Sequence, residues 1–210
     1  MAYQIKIVPS VLRDNADRLR SIAERADGVS ADMSNIRYRI DAAWEGSSGI
    51  QAKAALANLR RHVDEVGEGV AAAAAKLNAI ASAFESVMSE GGAISVAPIQ
   101  NDRFSAHLGD MGIDIAGGLA DGIRMDFEEV FDCARKCSAK ADILGQLEGE
   151  ARSVISSLSG NWEGKSFEKF AETAREIAAV LAKLALATDQ FAVNVRNAAA
   201  KLKEIDEELA

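Results

Sequence analysis

Residues on which metal and redox sites depend are scarce in this sequence. Its 210 residues include two cysteines and two histidines, His62 and His107. A structural zinc site needs several Cys or His ligands at short spacings, and neither histidine has such a spacing to other ligands. We therefore expect no metal and no cofactor.

Proline and aromatic residues are also few. The chain has two prolines, Pro9 and Pro98, and aromatic residues make up 5% of it. Proline in a helix interior costs about 3 kcal/mol, so the long stretches without proline are free to be helical. With 49% hydrophobic residues, the composition is typical of a largely helical protein that buries a core.

Long apolar runs and an excess of positive charge are absent as well. No run reaches the ~20 apolar residues that a membrane span needs. The chain does not open on a basic segment followed by an apolar one, the pattern of a general secretory signal peptide. The net charge of −8 argues against a nucleic-acid partner, because phosphate contacts need clustered Lys and Arg.

Patterns typical of catalysis are missing too. The glycines between residues 109 and 122 include no Gly-Lys-Ser/Thr of a phosphate-binding loop. No serine has a histidine and an aspartate that would form a catalytic triad with it. We therefore predict that the protein is not an enzyme.

The sequence does contain one tripeptide in two places. Trp44-Glu45-Gly46 returns 118 residues later as Trp162-Glu163-Gly164, and these are the only tryptophans. Each copy lies between two long stretches of helical apolar periodicity, where glycine supplies the backbone freedom to end one helix and begin another. Each tryptophan is either a structural wedge in a hairpin turn or part of an exposed groove that other proteins read.

The flanking periodicity predicts the fold. Apolar residues at spacings of three and four run along both sides of each turn, and a shift of 118 residues superimposes the two patterns, which indicates a duplicated unit. Thr188 is the one polar residue in the seam of the last helix. We predict an all-α protein in which two long helical hairpins pack as an antiparallel four-helix bundle, an intramolecular pseudo-dimer.

Three regions follow from this pattern. The first hairpin takes residues 1–88, a Gly-rich and partly apolar linker takes 89–124, and the second hairpin takes 125–210. Within the first region, residues 1–8 alternate like a strand but are short, and we interpret them as a tail. Ser10 is the predicted N-cap of the first helix, and the third helix is expected to begin near Met125.

The remaining candidate residues lie on the helices. Cys133 and Cys137 are four residues apart and share one helical face. They are either two small buried residues or a redox-sensitive pair, including the case of an inter-chain disulfide. His62 follows two arginines and is interpreted as a solvated residue.

The paired turns between heptad-patterned helices resemble the WXG-motif family of small helical hairpins exported by type VII (ESX-like) secretion systems. The resemblance covers residues 9–88 and 125–210, as two units fused in tandem. It implies hairpins that pair into four-helix bundles, with Trp44, Glu45, Gly46, Trp162, Glu163 and Gly164 as the motif and turn residues.

One element of that family is missing from the chain. Members carry a Tyr-x-x-x-Asp/Glu export element after the second helix, whereas the tyrosines here are Tyr3 and Tyr38, and Tyr38 is followed four residues later by Ala42. Leu202 and Asp206 have the required spacing near the carboxyl end, without the aromatic ring. They form a weak candidate for this element.

The resemblance implies a protein that is exported, or that assists the export of a partner, as a folded bundle. Its partners would be the secretion machinery or a co-secreted protein, and its location would be outside the cell or on the cell surface. The alternative is a cytoplasmic interaction module, or the targeting domain of a toxin system, that is not secreted. The chain would be a monomeric pseudo-dimer or a homodimer that exchanges hairpins.

Overall fold

A computed structural model describes residues 6–90 and 124–209 of the chain. These residues form four long helices and two very short strands. In chain order they are α1 (Pro9–Ala43), β1 (Trp44–Glu45), α2 (Ser47–Glu90), β2 (Arg124–Met125), α3 (Phe127–Ser159) and α4 (Lys165–Leu209). Residues 91–123, which make up most of the predicted linker 89–124, lie outside the described residues.

Two helix starts differ slightly from those expected. α1 begins at Pro9 rather than after a Ser10 cap, because proline suits the first helical position, where its missing N–H has no helical partner. α3 begins at Phe127 rather than near Met125, since Met125 belongs to β2. The Asp126 side chain caps α3 by accepting a hydrogen bond from the Glu129 backbone N–H at 3.1 Å.

The helices contribute to two compact units, and each unit takes a part of all four. Among the described residues, the first unit comprises 6–27, 64–90 and 146–181. It contains the second Trp-Glu-Gly turn. Its largest fully buried side chains are Trp162, Leu12, Ile22, Leu77 and Leu147. Around this core, α1 pairs with α3 through Arg25 and Glu150, whose charged atoms are 2.5 Å apart.

The second unit comprises the described residues 28–63, 124–145 and 182–209. It contains the first Trp-Glu-Gly turn. Its largest fully buried side chains are Trp44, Phe191, Met33, Ile40, Leu56, Leu59 and Leu144. The side chains of Lys140 and Asp32 connect α3 with α1, and Ser138 Oγ donates to Asp189 Oδ1 of α4 at 3.0 Å.

The apolar seams of the sequence form these cores. Every predicted seam position of α2 from Ala52 to Ile80 is buried, while Phe84 and Val87 are half-buried. In α4 the polar seam residue Thr188 is fully buried, and its hydroxyl has no hydrogen-bond partner among the described residues. The predicted all-α fold, two helical hairpins packed as a four-helix bundle, is confirmed.

Candidate functional site: the two Trp-Glu-Gly turns

The first turn joins α1 to α2 with three residues. Trp44 and Glu45 are extended, and Gly46 has a φ of +107°, a conformation that side chains other than glycine rarely adopt. The Trp44 ring is buried, and its Nε1–H donates to Ser48 Oγ at 3.1 Å. The indole of the turn is therefore tied to the first turn of the following helix.

Gly49 is required for this arrangement. A Cβ atom at this position would lie 2.4 Å from the carbonyl oxygen of Trp44 and 3.1 Å from its Cδ1 atom. No real Cβ approaches a backbone oxygen so closely, so a larger residue would push α2 away from the tryptophan. Glycine here permits close approach rather than a special φ.

An extended segment covers the backbone of the first turn. β2 pairs antiparallel with β1, so that Trp44 is opposite Met125 and Glu45 is opposite Arg124. The Asp126 N–H donates to the Ala43 carbonyl at 2.8 Å. The backbone between the two helices is thus hydrogen-bonded to a segment of the second hairpin.

A charged cluster lies close to this turn. Arg39 Nη2 is 2.7 Å from Asp132 Oδ2, and the Arg39 guanidinium also pairs with Glu129. Hydrogen bonds from Lys136 and from Arg39 lower the pKa of Asp132, while those to Glu129 and Asp132 raise the pKa of Arg39. These two shifts favour the charged forms of Arg39 and Asp132.

The second turn repeats the geometry with a longer connection. α3 ends at Ser159, and α4 begins at Lys165 after Gly164, which has a φ of +112°. The Trp162 ring is buried, and its Nε1–H donates to Ser166 Oγ at 3.1 Å. The indole is therefore tied to the next helix as in the first turn.

Two phenylalanine rings surround the second tryptophan. The ring centroids of Phe167 and Phe170 lie 5.7 Å and 5.5 Å from that of Trp162, in tilted arrangements. Such tilted aromatic pairs add about 0.5–1.5 kcal/mol beyond the apolar area they bury. Phe167 occupies the position equivalent to Gly49, so the two turns pack their tryptophans differently.

An extended segment covers this turn too. Ile7 forms an antiparallel bridge with Trp162. The Val8 N–H donates to the Asn161 carbonyl at 3.1 Å, and the Glu163 N–H donates to the Lys6 carbonyl at 2.9 Å. The interpretation of residues 1–8 as a tail is therefore wrong for Lys6–Val8, which pair with the turn; residues 1–5 lie outside the described residues.

An open groove beside the first turn has a volume of about 640 Å³. Its lining includes Tyr38, Arg39, Glu45, Arg124 and Met125. The Tyr38 side chain is 64% exposed, and the Arg37 guanidinium lies 4.9 Å from its ring centroid. The groove therefore combines an exposed ring with charges of both signs.

The two cysteines and His62 are buried. Burial raises the pKa of Cys133 to about 11 and that of Cys137 to about 12, so both free thiols are protonated and weakly nucleophilic at neutral pH. His62 is 7% exposed, so its interpretation as a solvated residue is wrong. His62 lies three residues after Leu59 and four before Val66, so it borders the buried face of α2 that these two residues help to form.

Two further observations on the described residues concern metal binding and membrane spans. Among residues 6–90 and 124–209, no group of three or more His, Cys, Asp or Glu side chains is placed to hold a metal ion. No helix in this part of the chain has the length and apolarity to cross a membrane. At the end of α4, Leu202 is half-buried and Asp206 is exposed.

The structure brings together residues that the sequence did not link. Each tripeptide was predicted as a turn, but Lys6–Val8 and Arg124–Asp126 were not predicted to bind those turns. One signal was available: Ile7 and Met125, which face the tryptophans, are separated by the same 118 residues as the tryptophans themselves. The role of the six motif residues in recognition remains a prediction.

A family model matches the chain twice. The family is WXG100, described as proteins of 100 residues with WXG. Its model matches residues 4–87 and residues 122–207. Each match contains one turn, the first helix of the hairpin, nearly all of the second helix and the extended segment that precedes them. No curated protein and no solved structure matched the chain.

Proposed function

This chain belongs to the WXG100 family, with two units in tandem, and on that premise we propose that it is exported by a type VII secretion system, or assists the export of a partner, as a folded bundle. Proteins of this family are small, helical and non-catalytic, and they act with type VII secretion partners. We accordingly propose that the protein acts through its surface rather than as an enzyme.

The observation that carries this proposal is the presence of two paired family units in one chain. The amino-terminal segment of each hairpin binds the turn of the other, through Val8 and Asn161 in one case and Asp126 and Ala43 in the other. A tandem chain of this kind supplies both hairpins at a fixed ratio. It needs no separate pairing partner, because a linker that spans the sites gives an effective concentration of order mM.

Export is tested by comparing culture supernatants of a producing strain with and without its type VII secretion ATPase. We expect the chain in the supernatant of the intact strain only, with a cytosolic marker absent from both supernatants. Retention of the chain in the cell pellet of both strains would favour the rival function, an interaction module that is not secreted. The rival is supported by the lack of a Tyr-x-x-x-Asp/Glu element within residues 1–210.

The source of the export signal is tested separately with Asp206→Asn. Asp206 is exposed near the end of α4, and Leu202 precedes it at the spacing of the export element. Glu204→Gln is the matched control, since it removes an exposed charge two residues away. Loss of export in Asp206→Asn alone would assign the signal to this chain; unchanged export in both variants would assign it to a co-secreted partner.

A further inference from the structure

Each Trp-Glu-Gly turn binds an extended segment by the same backbone atoms. The Ala43 carbonyl at the first turn and the Asn161 carbonyl at the second accept from the N–H groups of Asp126 and Val8. The two acceptor residues, Ala43 and Asn161, are 118 positions apart, and so are the two donor residues, Val8 and Asp126. Two unrelated contacts between a segment and a turn would not use equivalent N–H donors and carbonyl acceptors. We therefore regard the backbone of the turn as an edge that binds a strand.

The two bound segments also share their side-chain chemistry. An aliphatic residue, Met125 or Ile7, is half-buried opposite each tryptophan. A basic residue precedes it in both cases and is exposed. Arg124 Nη1 lies 3.5 Å from Glu45 Oε1 at the first turn, and Lys6 Nζ donates to the Gly160 carbonyl at 2.7 Å at the second.

When an extended peptide binds to a strand edge, its backbone and its side chains contribute differently to binding. Main-chain hydrogen bonds contribute affinity that any sequence can obtain, and contacts to alternate side chains contribute selectivity. Here the aliphatic residue is paired with the tryptophan in the strand register, while the basic side chain lies within 3.5 Å of an oxygen atom of the turn. An exposed ion pair contributes little binding free energy by itself. We therefore assign most of the selectivity to the aliphatic residue.

The second turn holds its segment with fewer contacts than the first. Arg124–Met125 form a two-residue ladder with Trp44–Glu45, and the Asp126 carboxylate additionally caps α3. Lys6–Val8 form a single bridge, and Val8 has no side-chain oxygen with which to cap α1. Segments with few buried contacts and a short ladder open before the helices do.

We propose that each Trp-Glu-Gly turn is a binding site for an extended segment in which a basic residue precedes an aliphatic one, and that the second turn exchanges Lys6–Val8 for such a segment from another polypeptide. The partner it fits is therefore an extended peptide of this chemistry. This inference goes beyond the proposed function and does not depend on export.

The test uses the full chain with Ile7→Asp, which weakens the internal segment, and a synthetic peptide of residues 4–9. Trp162 and Trp44 each give one indole N–H signal in a ¹⁵N NMR spectrum, and Trp44 is the internal control. We expect Ile7→Asp to shift the Trp162 signal and the peptide to return it toward its original position, with saturation. The same peptide with aspartate in place of the isoleucine equivalent to Ile7 should leave it unmoved.

An unmoved Trp162 signal, an equal response to both peptides or an equal shift of Trp44 would overturn the proposal. A second measurement on the unaltered chain covers the case in which Ile7→Asp fails to fold. The Val8 and Glu163 amides should exchange with solvent at least roughly 100-fold faster than the buried Leu77 amide, because the segment opens locally. Exchange of all three amides at one common rate would show that the segment is not exchangeable and would overturn the proposal.

Discussion

The two Trp-Glu-Gly turns share their backbone and differ in the side chains around it. Both have a glycine at positive φ, and both tie the indole to a serine four residues later. Around the first tryptophan, Gly49 allows the helix backbone to come close; around the second, Phe167 occupies the equivalent position and contacts the ring. The same turn thus tolerates two solutions for packing its tryptophan.

The surfaces near the turns differ as well. Tyr38 and Ile50 are exposed by more than half near the first turn, while the equivalent positions of the second hairpin are Ser156 and Glu168. A homodimer of hairpins must present the same residues at both turns, because its interface is self-complementary. A tandem chain is free of that constraint, so one turn can carry an apolar surface and the other a polar one.

Removing either tryptophan should have the largest effect on stability. We expect Trp44→Ala and Trp162→Ala each to lower the free energy of unfolding by about 3–5 kcal/mol, the usual cost of truncating a buried aromatic residue. Trp162→Ala should lose more, because Phe167 and Phe170 lose their ring partner. Denaturant unfolding measures both values. A loss below about 1 kcal/mol together with lost export would instead make the tryptophan a recognition residue.

Gly49→Ala separates the two packing solutions. Its Cβ would collide with the Trp44 carbonyl oxygen, so we expect a loss of about 1–3 kcal/mol or more from overpacking. Gly160→Ala, near the second turn, is the matched control, since a Cβ there meets nothing within 4 Å; its effect should stay within about 0.5 kcal/mol. Equal melting curves for the two variants would contradict the close approach at Gly49.

Removing the serine hydroxyl that accepts from each indole should cost more stability at the first turn than at the second. Ser48 is 7% exposed, so Ser48→Ala leaves the buried Trp44 N–H without a partner, at a cost of about 1–3 kcal/mol. Ser166 is exposed, and in Ser166→Ala water can replace the lost hydroxyl, so the cost should be below about 1 kcal/mol. A larger loss for Ser166→Ala, seen in thermal melts, would reverse this order and contradict the account.

Val70 and Thr188 occupy equivalent seam positions, and both are fully buried. The Thr188 hydroxyl has no hydrogen-bond partner among the described residues, so Thr188→Val should stabilise the protein by about 1 kcal/mol. The reverse substitution, Val70→Thr, should destabilise it by a similar amount or more. If Thr188→Val is instead destabilising, the hydroxyl has a role that the packing does not reveal.

The helices and the buried seam could be predicted from the sequence because they depend on local periodicity. Ala52, Leu56 and Leu59 share one face of any helix that contains them, and the structure buries that face. The pairing of Lys6–Val8 with Trp162 could not be predicted in the same way. Their positions lie more than 150 residues apart in the chain, and a three-residue segment has too short a pattern to identify its partner.

Two other features depend on distances that periodicity does not encode. The requirement for Gly49 follows from the position of the Trp44 carbonyl oxygen, which in turn depends on how sharply the turn folds. Likewise, the burial of His62 follows from the width of the buried face of α2. A sequence pattern marks the centre of such a face more reliably than its edges.

The central claim is that the two hairpins of one chain pair with each other, so that a single chain is a complete bundle. Light scattering coupled to size-exclusion chromatography tests it most directly, over a range of concentrations. We expect a constant mass equal to that of one chain, 22.3 kDa. A stable species of twice that mass would contradict the claim and would indicate that two chains exchange hairpins.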